Sequence, residues 1–267
     1  MNSVELANRI RKHAIEMTHK SGASHIASIL SISDIIAVLY NDILKINCDN
    51  YNNQCRNRFI LSKGHAGVAV YAALAELGII DMKELDTYYQ NGSKLSGHIS
   101  HKGVKGVEFS TGSLGHGMSV AIGMAIVNKN ENRSNRIYSL IGDGECNEGS
   151  IWEGVMFASH NKLNNLTVII DRNKIQGIDF CEKIIDMKNM KNKWEVFGWN
   201  VIEVDGHNHE ELKEALLCVD DEKPTCIVAN TIKGKGVSFM ENQILWHYRD
   251  PQGEFYNKAI DELERIK

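Results

Sequence analysis

Four short runs rich in β-branched residues alternate with helical patterns in the second half of the chain, and this alternation most restricts the possible folds. The runs lie at 136–141, 166–171, 199–204 and 225–230. Helical patterns between them cover 148–161, 186–197 and 208–219. Strands that alternate with helices indicate a mostly parallel sheet with helices on both faces. We therefore predict an α/β fold, and the apolar runs IYSLI, LTVII and CIVA suit strands that are buried on both sides.

The first half of the chain predicts more helix than strand. One short strand is expected at 59–62, and helices are expected at 3–18, from an N-cap at Ser33 to Leu44, at 65–77 and at 81–89. The stretch 91–112 is polar and Gly-rich, and long ordered loops in compact domains usually carry function. Because no repeat or linker interrupts the pattern, we predict a single α/β domain over residues 1–267.

Charge and hydropathy exclude two classes of partner. The chain has 30 Lys and Arg against 34 Asp and Glu, without the basic excess of a nucleic-acid binder. No run approaches the ~18 apolar residues of a membrane span, and the N-terminus lacks the apolar segment of a signal peptide. The six cysteines match no zinc spacing and no CxxC motif, which fits a reducing compartment. We expect a cytoplasmic protein that binds neither nucleic acid nor membrane.

A Gly-Asp-Gly turn at 142–144 follows the predicted strand 136–141, where ligands of open α/β sheets bind. The dinucleotide fingerprint GxGxxG does not fit, because four residues separate Gly144 from Gly149. Asp143 and Glu145 would also repel a bare diphosphate. A divalent cation between carboxylate and phosphate reverses that repulsion.

A second oxygen ligand lies 30 residues downstream of Asp143, at Asn173, just after the next predicted strand. One βαβ unit takes about 30 residues, so neighbouring strands would bring both side chains to the same sheet edge. Carboxylate, amide and phosphate oxygens suit Mg²⁺. The sequence predicts a magnesium site there, and a turn without a ligand is the competing interpretation. We expect Asp171 and Arg172 to serve the turn.

These segments resemble a known motif. GDGECNEG and the downstream LNNLTVIIDRNKIQG are similar to the thiamine diphosphate motif, in the form found in transketolases. Further segments resemble transketolases in the same order, namely SGASHIASILS, RFILSKGHAGVAVYAAL, SGHISHKGVKGVEFSTGSLGHG and NTIKGKGVSFMEN followed by WH. The resemblance extends over nearly the whole chain, from Ser3 to His247.

The resemblance implies how a cofactor would bind. Asp143, Asn173 and the main-chain carbonyl of Ile175 match the positions that hold Mg²⁺ or Ca²⁺, and this ion binds the diphosphate of thiamine diphosphate. Gly144 would let the backbone approach a phosphate, with Glu145 beside it in the cofactor site. Gly112 and Leu114 match positions that contact the aminopyrimidine, and we expect a helix to begin near Leu114.

The resemblance also implies a catalytic set. His65 and His247 match positions near the diphosphate and reaction centre, and His25 and His98 match positions that face the sugar. An imidazole with a pKa near 6.5 can donate or accept a proton at each step, although a lone histidine is more often structural. His101 and His116 are weaker candidates. The remaining histidines are expected to be surface or structural residues: His13, His19, His160, His207 and His209.

Glu148 follows the Gly-Asp-Gly turn and has two interpretations. The resemblance places it at a subunit interface, in contact with a catalytic glutamate of the partner. The alternative is a solvated charge at a helix N-terminus. Lys233 and Lys235 lie in IKGKGVSF, which lacks a GxxxxGK[ST] pattern. We expect that segment to be a mobile loop over the cofactor.

The chain length suggests that the enzyme is divided between two chains. The pyrimidine-binding and C-terminal domains of a transketolase are absent, and we expect them on a partner chain, in an α₂β₂ assembly. The complex would transfer a two-carbon ketol unit from a ketose or its phosphate to a sugar carbonyl. Ser24, Ala27 and 248–251 depart from the common transketolase pattern near the substrate end, so an unusual or nucleotide-linked sugar is possible.

Two other functions are compatible with parts of the pattern. The α subunit of a 2-oxo-acid dehydrogenase shares the Gly-Asp-Gly and Asn elements, but the contexts of His25, His65 and His98 argue against it. A non-catalytic cofactor-binding module is the second alternative. Asp143, Asn173 and the histidines argue against that function.

Overall fold

The computed structural model describes residues 1–265 and has a five-stranded sheet at its centre. All neighbouring strands pair in parallel, in the order β1-β2-β3-β5-β4. The strands are β1 (Arg58–Leu61), β2 (Ile137–Gly142), β3 (Leu166–Arg172), β4 (Asn200–Asp205) and β5 (Thr225–Asn230). The predicted α/β fold is confirmed, and each predicted strand is present to within one residue at either end.

Ten α-helices flank this sheet in the described part of the chain. They are α1 (Ser3–Ser21), α2 (Ile26–Ser31), α3 (Ser33–Val38), α4 (Gly67–Glu76), α5 (His116–Asn130), α6 (Gly149–His160), α7 (Cys181–Ile184), α8 (Met190–Val196), α9 (His209–Leu217) and α10 (Glu254–Arg265). None of the helices in residues 1–265 has both the length and the apolar content needed to cross a membrane.

The core has two parts, one on each face of the sheet. Ile169 of β3 points into the larger part, which also contains the apolar faces of α1 to α4. Its neighbours Val168 and Ile170 point into the smaller part, against α5 and α6. Because successive strand residues face opposite sides, a continuous apolar run is needed when both sides are covered. The prediction that the runs IYSLI, LTVII and CIVA form strands buried on both sides is confirmed for β2, β3 and β5. The edge strand β4 is only partly covered.

The helices of the first half differ from the predicted ones. The N-cap at Ser33 was wrong: α2 already precedes it, and Ser33 Oγ donates to the carbonyl of Ile29 at 3.1 Å instead of capping a helix. A π-helical turn at Leu39–Ile43 then ends this region. The predicted helix 65–77 is a 3₁₀ turn at Gly64–Ala66 followed by α4, and the predicted helix 81–89 is a 3₁₀ turn.

The predicted helix 186–197 is shorter in the structure because the side chain of Asn189 caps α8 by accepting from the backbone N–H of Asn192. The C-terminal helix α10 was not predicted. It packs its apolar face, including Ala259 and Leu263, into the core beside α1. Between α4 and α5, the loop 91–112 runs without helix or strand, and its course determines one wall of the site described next.

Candidate functional site

A cavity of about 250 Å³ opens at the carboxyl ends of the central strands. Eleven of the site residues predicted from the sequence line it: His25, His65, His98, Gly112, Leu114, Asp143, Gly144, Glu145, Asn173, Ile175 and His247. Glu148 and the weaker candidates His101 and His116 do not line this cavity. The structure adds four lining residues that the sequence reasoning did not single out, namely Ser28, Lys63, Gln176 and Gly177. Gly142 of the Gly-Asp-Gly turn and Lys233 of the segment expected over the cofactor also line the cavity. A second cavity of about 550 Å³ adjoins it and shares Asp143 and Asn173.

Asp143 lies buried at the tip of the Gly-Asp-Gly turn. Its Oδ1 accepts from the N–H of Gly144 at 2.8 Å, and its Oδ2 accepts from the N–H of Lys174 at 2.6 Å. Burial and the nearby charge of Asp171 raise the pKa of Asp143 to about 6, against the effect of these two hydrogen bonds. A bound cation would favour the ionised form and offset the cost of burying it.

Asn173 is held beside Asp143 by a second carboxylate. Its Nδ2 donates to Asp171 Oδ2 at 2.9 Å, and its Oδ1 accepts from the N–H of Ile175 at 3.1 Å. The intervening Lys174 has a φ of +65°, a left-handed conformation that a non-glycine residue adopts only under constraint. The carbonyl of Ile175 accepts from Lys233 Nζ at 2.8 Å. The turn therefore directs several oxygen atoms to one side of the cavity.

A buried ion pair between Lys63 and Asp171 supports this turn, because the Asp171 carboxylate also accepts from Asn173. Asp171 was expected to serve the turn, and it accepts from Asn173 there; it is also a fully buried residue of β3 that accepts from Ser31 Oγ and Thr231 Oγ1. Burial would raise the pKa of Asp171, but the Lys63 ammonium outweighs it and holds the pKa below its usual range.

Lys63 and Lys233 bring positive charge to the same side of the cavity. Lys233 is 1% exposed, and burial together with the charge of Lys63 lowers the pKa of its ammonium to about 8. Sequence reasoning missed Lys63 as a site residue, and it placed Lys233 only within a segment expected to lie over the cofactor. The available signals were their positions, Lys63 directly after a predicted strand and Lys233 within IKGKG, but neither position alone distinguishes a buried lysine from a surface one.

Four histidines form one cluster on the other side of the cavity. The ring centroid of His25 lies 5.1 Å from that of His65, 5.8 Å from that of His98 and 4.9 Å from that of His247. Burial, with smaller effects from neighbouring histidines and lysines, lowers the pKa of His25 to about 4 and that of His247 to about 3. Burial also places the pKa of His65 well below its usual value.

The position of His25 depends on an unusual backbone conformation. His25 has a φ of +78°, immediately before α2, and its N–H donates to the carbonyl of His247 at 2.8 Å. Ser24 Oγ lies 2.9 Å from His25 Nδ1. Two distant segments are therefore joined at the site, and a strained non-glycine residue at such a point is typical of functional sites.

The loop 91–112 reaches the site through contacts with Gly64. The N–H of Ile99 donates to the carbonyl of Gly64 at 2.9 Å, which places His98 at the cavity. A Cβ at Gly64 would lie 2.3 Å from the carbonyl oxygen of Thr111, so only glycine allows this approach. Gly112, at the end of the loop, packs against the ring of His98.

The two glutamates after the turn have different surroundings. Glu145 is buried, and its carboxylate accepts from Ser62 Oγ and from the N–H groups of Gly115 and Gly142. It therefore braces the Gly-Asp-Gly turn against the start of α5, which begins at His116 rather than near Leu114. Glu148 is exposed at the N-cap position of α6, outside the cavity, and its side chain makes no capping hydrogen bond.

The atoms that line the cavity fit a cation with an anionic ligand. Among residues 1–265 no cluster of three His, Cys, Asp or Glu side chains could hold a metal, so a cation here would need amide and carbonyl oxygens beside Asp143. Such oxygen donors suit Mg²⁺ or Ca²⁺. His247 Nδ1 is buried without a hydrogen-bond partner in the described part of the chain, which leaves one polar atom free for a ligand.

Comparison with known proteins identifies the family. A family described as "Transketolase, thiamine diphosphate binding domain" matches residues 2–249. The chain belongs to the transketolase family. The fold agrees, since a solved transketolase from Campylobacter jejuni superposes with a TM-score of 0.91 at 31% identity, over 99% of this chain and 43% of that one.

Similar transketolases occur as separate subunits and as longer chains. One subunit of an apulose-4-phosphate transketolase from Phocaeicola vulgatus is 40% identical over 96% of this chain and 92% of that protein. A 6-deoxy-6-sulfo-D-fructose transketolase subunit, SqwG from a Clostridium species, is 40% identical over 97% of this chain and 95% of that protein. The human transketolase is 37% identical, but the matched region is only 41% of its length.

Proposed function

We propose that this chain is the diphosphate-binding subunit of a two-chain transketolase. With its partner it transfers a two-carbon ketol unit from a ketose phosphate to an aldose or another sugar carbonyl. The observation that supports this most strongly is the single cavity that holds Asp143 and Asn173 on one side and four histidines on the other. A 2-oxo-acid dehydrogenase subunit would share the first half of this arrangement but not the histidine cluster.

Asp143, Asn173 and the carbonyl of Ile175 hold Mg²⁺ or Ca²⁺ in this proposal, and the cation binds the diphosphate of thiamine diphosphate. Bound thiamine diphosphate supplies the nucleophilic carbon to which the ketol unit is transferred. Gly144 packs against Gln176, since a Cβ there would lie 2.8 Å from that side chain, and in this proposal its backbone approaches the diphosphate. The ammonium of Lys233 offsets the remaining negative charge.

The other cofactor contacts come from the opposite wall. Gly112 and Leu114 line the cavity and would contact the aminopyrimidine, and Leu114 is exposed, as expected for a residue that a cofactor or partner would cover. Glu145 contributes by holding the Gly-Asp-Gly turn through its hydrogen bonds with Ser62, Gly115 and Gly142. His65 and His247 lie nearest the reaction centre, where the buried Nδ1 of His247 is available to a ligand.

The histidine cluster has the properties needed to bind sugar hydroxyls. Because the pKa values of His25 and His247 lie near 4 and 3, both rings are neutral at pH 7. A neutral imidazole offers one donor and one acceptor, and a hydroxyl can use both. His25 and His98 hold the sugar in this proposal. Because the pKa values of His25 and His247 lie below the expected 6.5, both rings are weak bases, and a neutral ring would accept a proton at one nitrogen and release one from the other as the carbon–carbon bond is cleaved and rebuilt.

The partner chain carries the pyrimidine-binding and C-terminal domains, in an α₂β₂ assembly. Support comes from two relatives that are named as subunits and match this chain over more than nine-tenths of their length. Glu148 is exposed in this chain and lies just outside the cavity, which suits a contact with a glutamate of the partner. The named substrates of these relatives favour a specialised sugar phosphate here as well.

Donor specificity tests the proposal. The complex reconstituted with its partner is given a ketose phosphate or a 2-oxo acid, and transfer to an aldehyde acceptor is measured. We expect ketol transfer from the ketose phosphate only. Decarboxylation of the 2-oxo acid would favour a dehydrogenase subunit. Thiamine diphosphate binding without turnover of either donor would favour a non-catalytic module.

Calorimetry tests the metal ligands separately. Thiamine diphosphate with Mg²⁺ is titrated into the native complex and into the Asp143→Ala complex. We expect at least about a hundredfold loss of affinity, because a buried charged ligand is removed. Equal affinity in the two complexes would show that Asp143 does not hold the metal.

A further inference from the structure

A second buried charge cluster lies behind the site, around Asp34 of α3. Its members are Arg11 of α1, His207 between β4 and α9, and His209 of α9, all in contact with the Asp34 carboxylate. Asp34 and Arg11 are buried. Burial would raise the pKa of Asp34, but Arg11 and hydrogen bonds from the two histidines hold it well below its usual range. None of these four residues lines the cavity.

His207 connects this carboxylate to the backbone before Lys233. Its Nδ1 lies 2.7 Å from Asp34 Oδ2, and its Nε2 accepts from the N–H of Ile232 at 2.8 Å. Because a backbone N–H can only donate, Nε2 must be unprotonated, and the ring proton lies on Nδ1, where it donates to Asp34. Asp34 therefore selects the tautomer of His207 that can hold Ile232.

Arg11 connects the same carboxylate to the backbone after Lys233. One of its terminal nitrogens pairs with Asp34, and its Nε donates to the carbonyl of Lys235 at 3.3 Å. Gly236 packs against the Arg11 side chain, since a Cβ there would lie 3.2 Å from Arg11 Cδ. A single carboxylate thus orients the two side chains that hold the loop on either side of Lys233.

We propose that Asp34, His207 and Arg11 are positioning residues that fix the 232–235 loop and so hold the Lys233 ammonium at the diphosphate end of the cavity. This inference rests on the proposed function only for the identity of the ligand. The ammonium already reaches the turn, where it donates to the carbonyls of Ile175 and Gln176. A buried lysine has several rotatable bonds, so its placement depends on a fixed backbone.

His209 provides a matched control. Its Nε2 donates to Asp34 Oδ1 at 3.0 Å, and its side chain is 13% exposed against 12% for His207. Its other ring nitrogen contacts Ser3 Oγ, on α1, rather than the 232–235 loop. His207→Phe and His209→Phe therefore remove similar contacts with Asp34, but only the first removes a contact with the loop. His207→Gln restores an acceptor for the N–H of Ile232.

Two measurements on these variants test the proposal. Hydrogen exchange of the peptide 231–236 in the full chain should be at least about tenfold faster in His207→Phe than in the native chain, because the hydrogen bond of Ile232 is lost. It should be unchanged in His209→Phe. In the complex with the partner, thiamine diphosphate affinity should be about tenfold weaker in His207→Phe, near native in His209→Phe, and largely recovered in His207→Gln.

Three results would overturn the proposal. Unchanged exchange of 231–236 in His207→Phe would show that His207 does not fix the loop, whether or not the cofactor binds. Equal effects of His207→Phe and His209→Phe would show that the cluster only stabilises the fold. Faster exchange without weaker cofactor binding would show that the order of the 232–235 loop does not affect the cofactor site. A native complex that fails to bind thiamine diphosphate would instead contradict the proposed function, and the exchange comparison would still decide the role of His207.

Discussion

Removing Lys63 should destabilise the chain more than removing the other buried lysine of the site. Lys63 is 2% exposed and pairs with Asp171, which is 0% exposed. Lys63→Met would leave a buried carboxylate without its cation, and breaking a buried ion pair from one side costs about 3–5 kcal/mol. Three hydrogen bonds from Ser31, Asn173 and Thr231 remain to Asp171, so we expect the lower end, about 3 kcal/mol.

Lys233→Met is the matched control for this prediction. Lys233 is 1% exposed and lines the same cavity, but its ammonium donates to backbone carbonyls rather than to a carboxylate. Its loss leaves no buried charge behind, so we expect a change of about 1 kcal/mol or less. The double variant Lys63→Met/Asp171→Asn removes the stranded charge and should recover about 1–2 kcal/mol relative to Lys63→Met.

The assay is urea unfolding of the cofactor-free chain at pH 7, followed by circular dichroism. The free energy of unfolding is obtained by linear extrapolation for the native chain and the three variants. If Lys63→Met and Lys233→Met were equally stable, the ion pair would contribute nothing beyond packing. If the double variant were less stable than Lys63→Met, the stranded charge would not be the cause of the loss. Either result would refute the reasoning.

Three further predictions concern other parts of the structure. Asp34→Asn should cost about 3 kcal/mol at pH 7, because Arg11 loses its buried partner. The folded-state pKa of Asp34 is depressed, so its stabilising effect is complete above about pH 4 and declines below it. The free energies of unfolding of the native and variant chains should therefore converge in acid, and a constant difference at all pH values would contradict this. Gly64→Ala should lower the free energy of unfolding by about 2 kcal/mol, because its Cβ would meet the carbonyl of Thr111. Gly123 is exposed on α5 with no atom within 4 Å of an added Cβ, so Gly123→Ala should be neutral or more stable in thermal unfolding, and equal losses in the two variants would contradict the Thr111 contact. Glu148→Gln should leave the stability of the isolated chain within about 0.5 kcal/mol but lower ketol transfer by the complex about tenfold, and an unchanged rate would remove Glu148 from the partner contact.

The sheet could be predicted from the sequence because its signal is local. β2, β3 and β5 are short apolar runs bounded by polar residues, because burial on both faces makes the whole run apolar. The proximity of Asp143 and Asn173 could also be predicted, because parallel neighbouring strands joined by one helix bring their carboxyl ends together. The break between α2 and α3 and the helix α10 could not be predicted in the same way, since tertiary packing decides where such helices begin.

The buried polar groups of the site were beyond prediction from local patterns. Lys63 and Asp171 are 108 residues apart, and Lys233 reaches a carbonyl 58 residues away. A lysine or aspartate in a sequence gives no sign of such a partner, and most of these side chains are exposed in proteins. For the same reason His207 was expected to be a surface or structural residue, although it contacts the loop that carries Lys233.

The central claim is that catalysis requires this chain together with a second one. The most direct test is ketol transfer from a ketose phosphate, measured with thiamine diphosphate and Mg²⁺ for this chain alone, for the partner alone and for an equimolar mixture. We expect activity only in the mixture. Full activity of this chain alone would contradict the account.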